Sequence, residues 1–416
     1  MSDAIVVGAG LAGLTAALRL AEGGRRVTVI ARGVGGLPLS SGTVDVLGYG
    51  PERIDRPREA LPGFAAARPT HPYAILAPAL EEALGWFRDQ VPDLGYVGDL
   101  ERNLLLPTAV GVAKPAALAP AGMAGGDLST GGRLLFVGFR ALKDLYPRLA
   151  AANVARAALP NGGVSARAVE LLASPRPGDA DVGALHFARA FDAGRLVGEV
   201  ADELGPLVEP GERIGLPALL GIDRHREVWS ELQERLGAPV FEIPLLPPSV
   251  PGMRVYRALT RALRRAGGRM LVGPEAVGGE TNDGRVAALV VQESGRRRRH
   301  EAADVVLATG GLAAGGIEID SRGELRETLL DLPVSAPDAS GARVSGRYLD
   351  PQPLLAAGLA VDADLRPVDG GGRAVHPNVR AVGAMLAGAE PWREKSGEGI
   401  AIASGFAAAY RILEGS

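Results

Sequence analysis

The 416-residue chain is long enough for two domains or for one large domain carrying an insertion, and its 47% apolar and 22% charged residues match a folded α/β protein, not a disordered or membrane-embedded one. A formal charge of −3, with both signs mixed along the sequence, builds no field that would gather nucleic acid or acidic lipid. Zero cysteines exclude a disulfide or a thiolate-held iron–sulfur cluster in this chain, so any cluster in an electron path belongs to a partner.

The opening segment predicts a strand from Ala4 to Val7, a turn Gly8-Ala9-Gly10-Leu11-Ala12-Gly13, and a helix to about Glu22. A Gly23-Gly24 breaker and a strand from Arg26 to Ala31 follow. Ala4 to Leu18 is as apolar as a signal-peptide core, but Asp3 stands where a positive flank is usual, so the segment reads as mature protein. A glycine- and serine-containing loop, Gly33 to Gly42, leads into an irregular, proline-rich region to about residue 70. From 71 to about 269, helical stretches (79–88, 141–149, 195–204, 226–236, 256–265) alternate with short apolar strands (134–137, 217–220, 239–243). Residues 104–122 are poor in charge, but Pro107, Lys114, Pro115 and Pro120 interrupt them; this is a loop lining the interior, not a membrane span.

Strand periodicity returns after 270. Asn282-Asp283-Gly284 predicts a tight hairpin, and the basic run Arg296 to Arg299 with His300 predicts a solvated hairpin turn. Val305 to Ala308 reads as a buried parallel strand opening at Thr309-Gly310-Gly311 toward a ligand. A last strand near Arg380 to Val382, a glycine loop and an alanine-rich helix close the chain. The expected fold is α/β: a Rossmann-like flavin-binding domain built from 1–70 and 270–416, with an inserted mixed α/β substrate or partner domain at 71–269.

The Gly8-x-Gly10-x-x-Gly13 spacing has a mechanical reason. The first glycine turns sharply out of the strand, the second lets a phosphate approach the backbone, and the third packs helix on strand. Leu11, Ala12 and Gly13 then present free amides at the helix start. Where an acidic residue usually meets the adenosine ribose, the chain carries Ala31 and Arg32, which removes the clearest sign of a dinucleotide. Arg32 is a candidate phosphate contact or an ordinary surface arginine. Gly383, then Gly397 and Gly399, fit a second helix start aimed at the N1/O2 edge of a flavin ring. No second GxGxxG follows a strand: Phe136-Val137-Gly138-Phe139 offers one glycine where three are wanted, so a separate NADH lobe is not expected.

Together with Ser40-Ser41-Gly42-Thr43-Val44-Asp45, His71-Pro72-Tyr73, the Leu246 to Arg254 segment, Leu365-Arg366-Pro367 and the C-terminal glycine loop, these features resemble the B-subunit family of anaerobic glycerol-3-phosphate dehydrogenase over most of the chain. The resemblance implies a flavoprotein subunit that oxidises glycerol 3-phosphate to dihydroxyacetone phosphate. Electrons then pass through a second flavoprotein subunit and an iron–sulfur membrane-anchoring subunit to quinone. It also implies a cytoplasmic chain, peripheral at the inner face of the cell membrane through a partner. FMN is the expected cofactor, with FAD as the alternative. Ser40, Ser41 and Gly42 are expected against the flavin, Arg254 is a candidate clamp for the substrate phosphate, and His71 a candidate base. Two other readings stand: a stand-alone flavin oxidoreductase of the fumarate-reductase or amine-oxidase kind, and a non-catalytic flavin-binding relay or assembly subunit.

Overall fold

The computed structural model describes residues 2–160, 163–336, 343–347 and 350–415. Its first sheet grows around the apolar strand Ser2–Val7, which pairs in parallel with Val27–Ala31 on one side and with the end of Arg296–Leu307 on the other. Arg269–Val272 extends the sheet beyond Val27–Ala31, and Val379–Ala381 pairs in parallel with Val305–Leu307. Val305, Val306 and Leu307 are therefore flanked by strands on both edges and buried, which is why that run carries no polar alternation. Asn378 locks the junction: its side-chain amide donates to the carbonyls of Val286 and Ala303 and accepts the Val286 N–H.

The hairpin Glu275–Asn282 with Arg285–Glu293 turns at Asp283-Gly284, both at positive φ (48° and 76°), the conformation a two-residue hairpin loop requires. The basic run does not form the next turn. Ser294 and Gly295, at φ 42° and 83°, make it instead, and Arg296 to His300 begin the strand Arg296–Leu307. The ribbon is solvated there, so Arg299 pairs with Glu280 and Glu301 and His300 meets Glu293 at 2.7 Å without burial of unpaired charge.

A second sheet of four strands, all parallel, has the order Val240–Ile243, Glu212–Pro217, Arg133–Phe139, Ser165–Leu171. The strand expected at 217–220 lies earlier, and the helix expected at 141–149 is Pro147–Ala155, because Pro147 suits a first helical turn and not a helix interior. The region before residue 70 contains a helix, Pro57–Ala66, that also starts on a proline. Residues 104–122 form short strands, Leu104–Pro107 with Ala113–Ala116 and Leu118–Ala119 with Val97–Gly98, whose apolar side chains are largely buried. Among the described residues no helix is long and apolar enough to cross a membrane.

Helices Tyr73–Gln90 and Val250–Arg265 pack into the same core as the first sheet, through Tyr73, Leu76, Leu80, Val255 and Leu259. We propose dividing the chain by this packing, so that the insertion runs from strand Leu104–Pro107 to strand Val240–Ile243.

Arg254, the candidate phosphate clamp, sits inside this junction. It is 4% exposed; Nη1 and Nη2 donate to Glu242 at 2.5 and 2.9 Å, and Nε donates to the Gly221 carbonyl at 2.8 Å. With both faces of its fork committed, it has no edge to offer a substrate. His225 completes the cluster, its Nδ1 donating to the Leu220 carbonyl at 3.2 Å and its Nε2 3.7 Å from Glu242. Burial and then the Arg254 charge push the imidazole down to about 4. A histidine depressed on folding from 6.5 to about 4 is held neutral, so the unfolded chain binds its proton first; its stabilisation is complete above pH 6.5 and fades as pH falls toward 4. At 1.36 kcal/mol per unit, about 3 kcal/mol of stability is lost across that window. Urea midpoints at pH 7.0 and 4.5 should show a markedly smaller pH difference for His225→Gln than for the unaltered chain.

Candidate cofactor site

The Gly8–Gly13 turn lies where the first strand ends against the strand beside it. Gly8 has φ 115°, and a β-carbon there would lie 2.1 Å from the Ala308 carbonyl oxygen; one on Gly13 would lie 2.1 Å from the carbonyl oxygen of Gly8. Gly10 differs: a β-carbon added there meets no protein atom within 4 Å. The space next to Gly10 is free, and helix Leu11–Glu22 begins beside it with no acidic residue or capping side chain on its first amides. This is the arrangement that receives a phosphate.

That space belongs to a cavity of about 680 Å³, within the range of small-molecule sites. Gly8, Gly10, Leu11, Ala12, Gly13, Thr309 and Gly310 form one wall, and the loop from Arg32 to Gly36 with Leu37, Leu39 and Ser40 forms another. Gly383, Gly397 and Glu398 line the end reached by helix Gly397–Glu414. Near Ala31 the opposite end carries Arg32 and Glu275, whose side chains pair at 3.2 Å and are both exposed. Glu275 arrives there because Val272 pairs with Ala31 and the Gly273 N–H donates to the Ala31 carbonyl, bringing the start of the hairpin alongside.

Four expected contacts lie outside the lining. Ser41 Oγ is held by Thr43 at 2.8 Å and Lys114 at 3.2 Å. Gly42, at φ 80°, leaves room for Pro251, Gly311 for the Ala384 carbonyl, and Gly399 for Tyr73 and Val46; these glycines serve packing. Loop residues 37–40 are braced from behind by the start of helix Val250–Arg265. A β-carbon on Gly252 would strike the Leu37 carbonyl, and Ser249 N–H donates to the Pro38 carbonyl at 2.7 Å.

His71 is not placed as a base. It is 1% exposed, its Nδ1 accepts the Tyr73 N–H at 3.1 Å, and its Nε2 lies 3.2 Å from Glu394, leaving neither nitrogen for a substrate. Glu275, Glu398, Leu37 and Leu39 escape sequence reading, whereas Ser40, expected against the flavin, does line the cavity. Glu398 carries a local signal, an acid in the first turn of a glycine-led helix, whereas Glu275 is brought in by strand pairing alone.

The FAD binding domain family matches residues 3–400. A relative from Halobacterium salinarum, named as the probable B subunit of anaerobic glycerol-3-phosphate dehydrogenase, is 35% identical over 430 residues, covering 99% of this chain and 98% of its own length. The corresponding B subunit of Pectobacterium atrosepticum is 30% identical with the same coverage. The chain belongs to this B-subunit family. Among solved structures, 3-ketosteroid delta1-dehydrogenase from Sterolibacterium denitrificans superposes with a TM-score of 0.47 at 14% identity, covering 100% of both chains.

As a member of this family, the chain is a flavoprotein dehydrogenase subunit. The expected preference for FMN over FAD gains no support, since the matching family is described by FAD. That preference came from the family resemblance and agreed with the missing carboxylate at Ala31, but a carboxylate does stand beside Ala31 in space, on Glu275. The glycines make a paired test. Gly10→Val should give a folded protein that retains no flavin, because its side chain fills ligand space only. Gly13→Val should fail to fold, because it drives into the Gly8 backbone at a cost beyond the ~1–3 kcal/mol typical of overpacking. Circular dichroism and the flavin-to-protein absorbance ratio read the two outcomes.

Proposed function

We propose that the chain is the flavoprotein subunit of a glycerol-3-phosphate:quinone oxidoreductase. It oxidises glycerol 3-phosphate to dihydroxyacetone phosphate, and electrons leave through a second flavoprotein subunit and an iron–sulfur subunit that holds the assembly at the inner face of the cell membrane. The observation that carries this reading is the 35% identity, over 99% of the chain, to a relative so named. The composition agrees: with no cysteine, the chain leaves thiolate-held clusters to its partners.

We propose FAD as the cofactor. The Gly8–Gly13 turn and the first amides of helix Leu11–Glu22 hold its phosphates, and Thr309, Gly310 and Ser40 bound the rest of its path. Glu275 accepts the ribose hydroxyls that a residue at position 31 would normally receive. Leu37, Leu329 and Val382 give the cavity apolar surface. Bound flavin supplies a two-electron acceptor for the hydride of a secondary alcohol.

A second reading, an electron-relay subunit whose partner carries out the alcohol oxidation, is favoured by the commitment of His71 and Arg254 to internal contacts. Anaerobic mixing separates the two: glycerol 3-phosphate should bleach the flavin of the isolated chain, and bleaching only with the partner subunits present would favour the relay. Flavin released by denaturation should run as FAD on chromatography. Glu275→Gln removes a charged acceptor worth ~1.5–3 kcal/mol, so FAD should bind roughly 10- to 100-fold more weakly to the apoprotein while FMN, lacking the adenosine half, binds as before. Equal losses for both flavins would place Glu275 elsewhere than the ribose.

A further inference from the structure

Behind the loop that walls the cavity lies a charged cluster with no role in the reading above. Lys114 Nζ donates to Ser41 Oγ at 3.2 Å, to Thr43 Oγ1 at 2.7 Å and to the Asp45 carboxylate at 2.7 Å. Thr43 also donates to Asp45 at 2.9 Å. All three ammonium protons of Lys114 are used, so it is fixed in place and is not a free clamp for phosphate. The Asp45 carbonyl in turn accepts the Gly399 N–H at 2.9 Å, which seats this loop on the first turn of helix Gly397–Glu414. Glu398, in that turn, is ringed by protein but lines the cavity, at the end away from Glu275 and beyond the Gly8–Gly13 turn.

We propose that Glu398 is the base that takes the hydroxyl proton of the alcohol, with Asp45 and Lys114 as the positioning pair that sets its charge. The assignment rests on the reading that the substrate is glycerol 3-phosphate. The step balances: the C2 hydroxyl proton passes to a Glu398 carboxylate oxygen, the C2 hydrogen leaves with its electron pair to the flavin as oxidant, and the C2–O bond becomes a carbonyl. The carboxyl then returns its proton to solvent through the cavity.

The surroundings suit this task. Burial first, and then the negative charge of Asp45, push the Glu398 carboxyl up to about 7, while Lys114 and the backbone N–H groups of Glu398 and Asp45 pull it down. A base near neutrality is the one that both accepts and releases a proton at working pH. Lys395, also charged and nearby, is lowered by burial and by Lys114. Tyr73 and Tyr96, also packed near Glu398, are raised by burial and stay neutral across the range. Tyr73 is occupied with the Val46 carbonyl at 2.5 Å, and Tyr96 with that of Gly42. Glu394, also near, is tied to His71 and Ser396. Glu398 is thus the carboxyl of this group that lines the cavity.

The test uses the flavin-loaded full chain, with its partner subunits where bleaching needs them. Two readouts are taken across pH: the visible spectrum of the oxidised flavin, and the rate of bleaching by glycerol 3-phosphate in a single turnover. The unaltered protein should show one group titrating near 7 in the spectrum, with the rate rising through the same midpoint. Glu398→Gln, which keeps the shape, should retain its flavin, lose the spectral titration and slow bleaching roughly 100-fold or more. Asp45→Asn removes a repelling charge and should move the midpoint down; Lys114→Met removes an attracting one and should move it up. These opposite shifts do not follow from a merely structural role. A titration that survives Glu398→Gln, or midpoints that move together in the two neighbour variants, overturns the assignment. Absence of bleaching at any pH, with all subunits present, overturns the substrate reading instead, and the spectral titration still decides whether Glu398 is the titrating group.

Discussion

The structure depends on a backbone contact that admits no side chain. Where the first strand ends, the Gly8 backbone meets the Ala308 carbonyl, and one helical turn later Gly13 lies on the Gly8 carbonyl. Strand, neighbouring strand and helix come together at van der Waals distance only because two β-carbons are missing. The remaining glycine of the motif, Gly10, has no such duty toward the protein, and the opening next to it becomes the start of the cavity. Glycines that pack and a glycine that opens onto the cavity therefore alternate within six residues.

Two groups of charged side chains are taken out of water, and they are handled differently. Arg254, Glu242 and His225 form a closed set whose guanidinium and carboxylate satisfy one another and nearby backbone. Such a set adds little net stability, since desolvation offsets most of its attraction. Asp45 and Lys114 are paired as tightly, and Glu398 beside them borders the cavity. Closure on all sides makes scaffolding; an opening on one side leaves a proton able to move.

The sequence announced the elements governed by local rules. The βαβ unit, the Asp283-Gly284 hairpin and the buried run ending at Ala308 each follow from spacing, turn chemistry or apolar continuity along one short stretch of chain. Gly8, Gly10, Gly13, Thr309, Gly310, Gly383 and Gly397, singled out from the sequence, all border the cavity. Readings that required knowledge of partners did not transfer. Arg254 is polar and opens a helix, as a phosphate clamp would, but Glu242, on a separate strand, takes its fork. His71 looks available until Tyr73 and Glu394 are seen against it. Glu275 is far from Ala31 along the chain and becomes its neighbour through the pairing of Arg269–Val272 with Val27–Ala31. The arginine run was misplaced by a few residues because charge marks exposure, and an exposed strand is as solvated as a turn.

Helix Val250–Arg265 touches both halves of the molecule: its first turn supports the Leu37–Ser40 wall of the cavity, and Arg254 ties it to Glu242 on the last strand of the four-stranded sheet. The inserted body is for that reason not an interchangeable module. A recombination crossover between relatives that separates strand Val240–Ile243 from this helix would join a carboxylate to an arginine it did not evolve with. Descent should therefore pass the two on together, as a single inherited block, even where the rest of the insertion drifts.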